Sequence, residues 1–125
     1  MLGMRTTFQM VSAGRTVVAR VAVADGFWLR ARGLIGRPRL APGAGLWLPS
    51  CPAVHTLFMD YPLDLIFLDR AQRVVRLQRH VTPGRMAAGG GGSVSVVEVA
   101  AGWLPAEVLR PGDAVTFEPA ASPAQ

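Results

Sequence analysis

The sequence contains no lysine and no asparagine, and only one cysteine, Cys51, in 125 residues. A single thiol excludes an internal disulfide and agrees with a reducing compartment. Charged residues are scarce too, at 17% against 50% apolar. Even so, no uninterrupted apolar run approaches the ~20 residues that a membrane-spanning helix needs. The apolar stretch near the N-terminus is broken by Thr6, Thr7, Gln9 and Ser12, so the continuous core of a secretory signal is missing. These absences describe a soluble, globular, cytoplasmic chain, expected to form one domain and to bury roughly two-thirds of its unfolded surface.

The net charge of +5 comes from thirteen arginines against eight acidic residues. Arginine in place of lysine, with abundant Ala, Gly and Pro, reflects a GC-rich coding bias. That origin discounts the charge as a sign of nucleic-acid binding, which clusters it on one face or stripe. The arginines are scattered except in RAQRVVRLQRH at 70–80, where Arg73, Arg76 and Arg79 are three apart. On a strand this spacing sends Arg76 to the face opposite Arg73 and Arg79, and no aromatic platform accompanies them. A solvated edge strand defended by charge is expected, with neither a nucleic-acid nor a membrane partner.

What the sequence does have is a succession of short β-patterned runs. TVVARVAVA (16–24) alternates and is rich in valine, and the MRTTFQM before it reads as a strand partner or as part of an N-terminal arm, residues 1–14. PRLAPGAG is a loop and GLWLP a brief strand. VHTLFM and LDLIFLD are two β-rich runs with Asp60, Tyr61 and Pro62 at the corner between them. DRAQR has the polar character of a tight hairpin leading into VVRLQRHV, and VSVVEVAAG and AVTFE are further strands. They belong to one β-rich domain at 15–118, with residues 119–125 expected as a disordered tail.

One or two short helices are expected. Asp25 stands as an N-cap ahead of GFWLRARGLIGR, in which Phe27, Leu29, Leu34 and Ile35 are expected to fill part of one helical face and Gly33 and Gly36 lie near the end. WLPAEVLRPGD predicts a helical turn closed by Pro111 and Gly112. TPGRMAAGGGGS reads as a long flexible loop, since its GGGGS lacks the lysine of a phosphate loop and runs into a strand rather than a helix. Turn signals at roughly ten-residue spacing, without a repeat, predict a mainly β fold: a compact antiparallel β-barrel or jelly-roll-like sandwich with one or two short helices.

Cys51, His55 and Met59 are soft ligands, and with His80 they have the composition of a mononuclear copper site. In an extended segment, however, residues four apart lie about 13 Å from one another, at ~3.3 Å per residue, too far for one metal ion. The same distance separates Cys51 from His55 as a nucleophile and base, leaving them weak catalytic candidates unless a bend or a long-range His80 intervenes. The ordinary reading makes Cys51 a small buried hydrophobe and Met59 a core filler, and lets His55 satisfy its nitrogens on backbone or a carboxylate. Asp64 is expected to accept backbone hydrogen bonds near Pro62, and Asp69 to open the hairpin. Glu98 interrupts VSVVEV and must be partnered, by an arginine or by His55, or else mark a site. Trp28, Trp47 and Trp103 are expected in the core.

ARGLIGR at 31–37, GLWL at 45–48, CPAVHTLFMDYPLDLIFLD at 51–69, RVVRL at 73–77, VVEVAAG at 96–102 and RPGD at 110–113 together resemble the family known as Domain of Unknown Function 192. The resemblance spans residues 15 to 117. It rests on Gly33, Leu34 and Ile35; His55, Thr56 and Met59; Pro62, Asp64 and Phe67; and Val97, Glu98 and Gly102. Ile35 departs from the family's frequent methionine. The resemblance implies a compact, mostly antiparallel β-barrel or sandwich, and it implies no activity.

The resulting expectation is a non-catalytic module that holds a small molecule or peptide in a cleft near His55, Thr56, Met59, Asp64 and Glu98, without a cofactor or metal. A thiol-dependent or hydrolytic enzyme using Cys51 and a histidine, or a copper- or zinc-binding protein, are the alternatives.

Overall fold

The computed structural model describes residues 8–24, 39–57 and 59–120. Strands β1 (Phe8–Ser12), β2 (Arg15–Val23), β3 (Ala44–Leu48), β5 (Leu63–Leu68), β6 (Val74–Val81), β8 (Ser95–Ala100) and β9 (Thr116–Pro119) form one sheet, in the order β6-β5-β8-β3-β2-β1-β9. Strands β4 (Ala53–His55) and β7 (Met86–Ala88) form a separate two-stranded ribbon. The sheet is mixed rather than antiparallel, because β2 and β3 run parallel from Arg20↔Ala44 to Val23↔Trp47.

LDLIFL and SVVEVA do not alternate in polarity because both faces of β5 and β8 are covered. On one face Ile66, Leu68, Val97 and Val99 pack with Met10, Val18 and Val21 under Leu104, Leu109 and Val115. On the other, Leu46, Leu48, Leu65, Phe67 and Val96 pack with Tyr61 beneath Ala87 and Val54 of the ribbon. The result is a sandwich-like arrangement of layers.

A closed barrel does not form. The segment entering β9 reaches the start of β6 through one isolated bridge, Arg73↔Ala114, with Val74 N–H donating to the Asp113 carbonyl at 2.8 Å. No continuous ladder follows, so the two edge strands stay unpaired with each other.

The expected helical turn at 103–113 is not a helix. The carbonyls of Leu104, Pro105 and Ala106, which would accept i+4 N–H groups in an α-helix, accept from the Arg79 guanidinium at 3.1, 2.6 and 3.3 Å. Successive turns replace it, closed by Val108 N–H to Pro105 and Asp113 N–H to Arg110. The expected helix after Asp25, with Gly33, Leu34 and Ile35, lies outside the described residues, as do Trp28 and residues 121–125.

The glycine-rich loop is also more ordered than its composition implies. It contains β7, and Gly89 N–H donates to the Pro52 carbonyl at 3.0 Å. A Cβ at Gly89 would run into the Ser93 side chain and come within 2.7 Å of the Phe67 Cβ, so this glycine permits a close approach rather than flexibility. At the other end of the chain, the N-terminal arm is an integral strand from Phe8 onward, flanked by β2 and β9. DRAQR makes the predicted hairpin, with Asp69 Oδ1 accepting from the N–H groups of Ala71 and Arg73 at 2.9 Å each. VHTLFM does not continue as a strand beyond His55, because Thr56 begins a turn in which Met59 N–H donates to its carbonyl.

Candidate functional site

The sheet places its two buried acids on opposite faces. Asp64 is the partner of Val99 and Glu98 the partner of Leu65, one step along the same ladder, and side chains alternate at each step. Glu98 therefore shares the Leu46, Leu65 and Tyr61 side, whereas Asp64 joins the Ile66 and Val99 side. The expected single cleft containing both does not form.

Glu98 lies between Leu46 and Leu65 and is 5% exposed. Its carboxyl makes no hydrogen bond and no ion pair among the described residues, so neither His55 nor an arginine of this set partners it. Burial alone pushes its pKa up from 4.5 to about 7. Tyr61, on the same face, is held at the corner by the Leu40 N–H, which donates to its hydroxyl at 3.3 Å. The Arg39 guanidinium lies 4.7 Å from the Tyr61 ring centre and donates to the Asp60 carbonyl at 3.3 Å. Burial raises the Tyr61 pKa; the Leu40 hydrogen bond opposes this, the charges of Glu98 and Asp60 add to it, and Arg39 lowers it. Next to Tyr61 a cavity of about 300 Å³ opens between Arg39, Pro42, Ala100, Gly102 and Trp103. Tyr61 and Arg39 escaped the sequence reading because Tyr61 stands between Asp60 and Pro62, where it looks like an ordinary corner residue.

Asp64 has a structural task. Its Oδ1 accepts the His80 N–H at 2.8 Å, fixing a bulge at which Leu63 pairs with Val81 but Leu65 with Gln78. His80 takes the left-handed conformation there, with φ of 54°. Asp64 Oδ2 lies 3.7 Å from Arg79, close enough for charge attraction but too long for a hydrogen bond.

Thr56 is fully buried, and its hydroxyl donates to the Thr82 carbonyl at 2.7 Å and accepts the Arg85 N–H at 2.8 Å. It ties the end of β4 to the turn entering β7. His55 is exposed, its Nδ1 accepting the Leu57 N–H at 3.3 Å, while Val54 points into the core. Cys51 and Met59 instead pack against the Glu98 face. The soft trio is thus divided between the two sides of the ribbon, and no group of three His, Cys, Asp or Glu among the described residues could hold a metal ion. Of the expected site residues, the structure brings Met59 and Glu98 to one face and leaves His55, Thr56 and Asp64 elsewhere.

Arg73, just before β6, and Arg76 and Arg79 within it alternate as the spacing predicts. Arg76 donates to the Ala88 carbonyl over one face, whereas Arg73 donates to Gly112 and Arg79 to residues 104–106 over the other. Each clamps a covering segment to the edge strand. Trp47 stacks on Phe117 with ring centres 4.1 Å apart. No helix among the described residues is long and apolar enough to cross a membrane.

Three known proteins are similar to this chain in sequence or in fold. A Thermococcus sibiricus protein named UPF0127 protein is 34% identical over 112 residues, covering 84% of this chain and 70% of the relative. A Sinorhizobium meliloti structure, presented as a presumptive transcription regulator, superposes with a TM-score of 0.78 at 21% identity, covering 94% of this chain and 97% of that one. A Novosphingobium aromaticivorans structure of unknown function gives 0.74 at 23% identity, covering 88% and 83%. At these identities the two structures establish a shared fold. The DUF192 family, described as "Uncharacterized ACR", matches from residue 8 to residue 117, from β1 into β9, and the chain belongs to it.

Proposed function

We propose that this protein is a non-catalytic binding module that holds a small molecule against the Glu98 face. One observation carries the reading: a buried carboxyl group without a hydrogen-bond or ion-pair partner among the described residues, set between two leucines. An unpartnered buried acid is destabilising, and a ligand that donates a hydrogen bond to it offsets that cost. The cavity of about 300 Å³ beside Tyr61 and Ala100, which belong to the same face, lies at the lower end of the range for small-molecule sites, and Tyr61 supplies an aromatic wall with a polar tip. Met59 supplies a soft, adaptable surface on the same side. His55, Thr56 and Asp64 stand outside this site and serve the ribbon and the bulge.

A fragment screen followed by protein NMR tests the reading. Ligands should shift the amide signals of Tyr61, Ala100 and Gly102, and Glu98→Gln should weaken them roughly tenfold, the size expected for losing a charged hydrogen-bond partner. Fragments that leave these amides unmoved, or that bind the Gln variant equally well, overturn it.

A further inference from the structure

We propose that a concavity at the outer edge of β6 binds a polyvalent oxyanion, independently of the Glu98 face. A cavity of about 320 Å³ opens there, with Arg79, His80, Thr82 and Arg85 in its lining and no carboxylate. The lining is pre-arranged by hydrogen bonds from behind. His80 is held in its left-handed conformation by the bond from its N–H to Asp64, and its ring is exposed without a partner among the described residues. A non-glycine residue in this conformation persists only where its surroundings enforce it. Arg85 is anchored at the backbone, its N–H donating to Thr56 Oγ1 at 2.8 Å and its carbonyl accepting the Thr56 N–H at 2.7 Å.

The charges in this cavity are not equivalent. Arg79 is committed to the carbonyls of residues 104–106 and is offset by Asp64. Among the described residues the Arg85 side chain has one long contact, from Nε to Thr82 Oγ1 at 3.4 Å, and its two terminal nitrogens have no partner in this set. A guanidinium fork on a fixed backbone beside an imidazole matches an oxyanion with more than one charged oxygen, in the form of a phosphate or of a polycarboxylate. The same electropositive setting argues against a cation beside His80.

Pyrophosphate and citrate, titrated at constant ionic strength and followed by NMR of the backbone and arginine Nε signals, test the site. Saturable shifts at His80, Thr82 and Arg85 are expected. Arg85→Gln should weaken binding roughly tenfold or more, as for a lost charge-assisted bond. His80→Asn, which tolerates the left-handed backbone, should weaken it by less. Arg110→Gln, at an exposed arginine paired with Glu107, should leave it unchanged. Tighter binding of pyrophosphate assigns the site to phosphates, and tighter binding of citrate assigns it to carboxylates. Shifts that fail to saturate, or an Arg85→Gln variant that binds like the parent, overturn the proposal.

Discussion

Asp64 and Glu98 sit one ladder step apart on paired central strands, yet their carboxyls face opposite sides of the sheet. One is committed to the His80 N–H and to Arg79, and the other has no partner among the described residues. Two acids in similar apolar runs thus take different positions, one organising the edge strand and the other buried without a partner in this set.

Glu98 should make stability fall as pH rises. Its folded pKa of about 7 lies above its ordinary 4.5, so the folded state holds a proton that the unfolded chain has released. The stability is fully present below about pH 4.5 and is lost through pH 7, by roughly 3 kcal/mol in all. Urea unfolding at pH 5 and pH 8 should show this drop in the parent and little of it in Glu98→Gln, which becomes the more stable protein at pH 8. An equal drop in both would contradict the assignment.

Removing the other acid should lower stability by a different route. Asp64→Ala leaves Arg79 without its counter-charge and the His80 N–H without its acceptor, with an expected loss of about 3 kcal/mol. Asp64→Asn retains an acceptor for that N–H and should lose clearly less. Denaturant midpoints of the two variants compare them directly, and equal losses would assign the whole effect to charge.

The glycine run offers a sharp contrast between neighbours. Gly89→Ala forces a Cβ against Ser93 and Phe67, with an expected cost of about 1–3 kcal/mol. At Gly91 a Cβ meets nothing within 4 Å, and Gly91→Ala should be neutral or stabilising by up to about 1 kcal/mol. Thermal unfolding of both variants decides whether the run is a packed turn or a tether.

Thr56→Val keeps the shape of the side chain and removes the hydroxyl that joins β4 to the turn before β7. The stranded Arg85 N–H should lower stability by about 2 kcal/mol. Hydrogen exchange should quicken first in the ribbon, at Val54 and Ala87, while β5 and β8 stay protected. Uniform acceleration across both strand sets would show that the ribbon is not a separate unit.

The amino-acid order by itself determined most of the strands, the hairpin at Asp69, the alternation of Arg73, Arg76 and Arg79, and the prominence of Glu98, because each follows from local pattern or turn chemistry. Tertiary structure decided the rest. Whether WLPAEVL winds into a helix depended on Arg79, more than twenty residues earlier, taking the carbonyls a helix needs. Whether GGGGS is a tether depended on how closely Phe67 approaches it. The candidate site turned on register: a period of two puts neighbours 64 and 65 on opposite faces, but only the pairing of β5 with β8 shows which face Glu98 shares, and with whom. Tyr61 joined that face through a corner whose local sequence signals a turn and says nothing of what the ring covers.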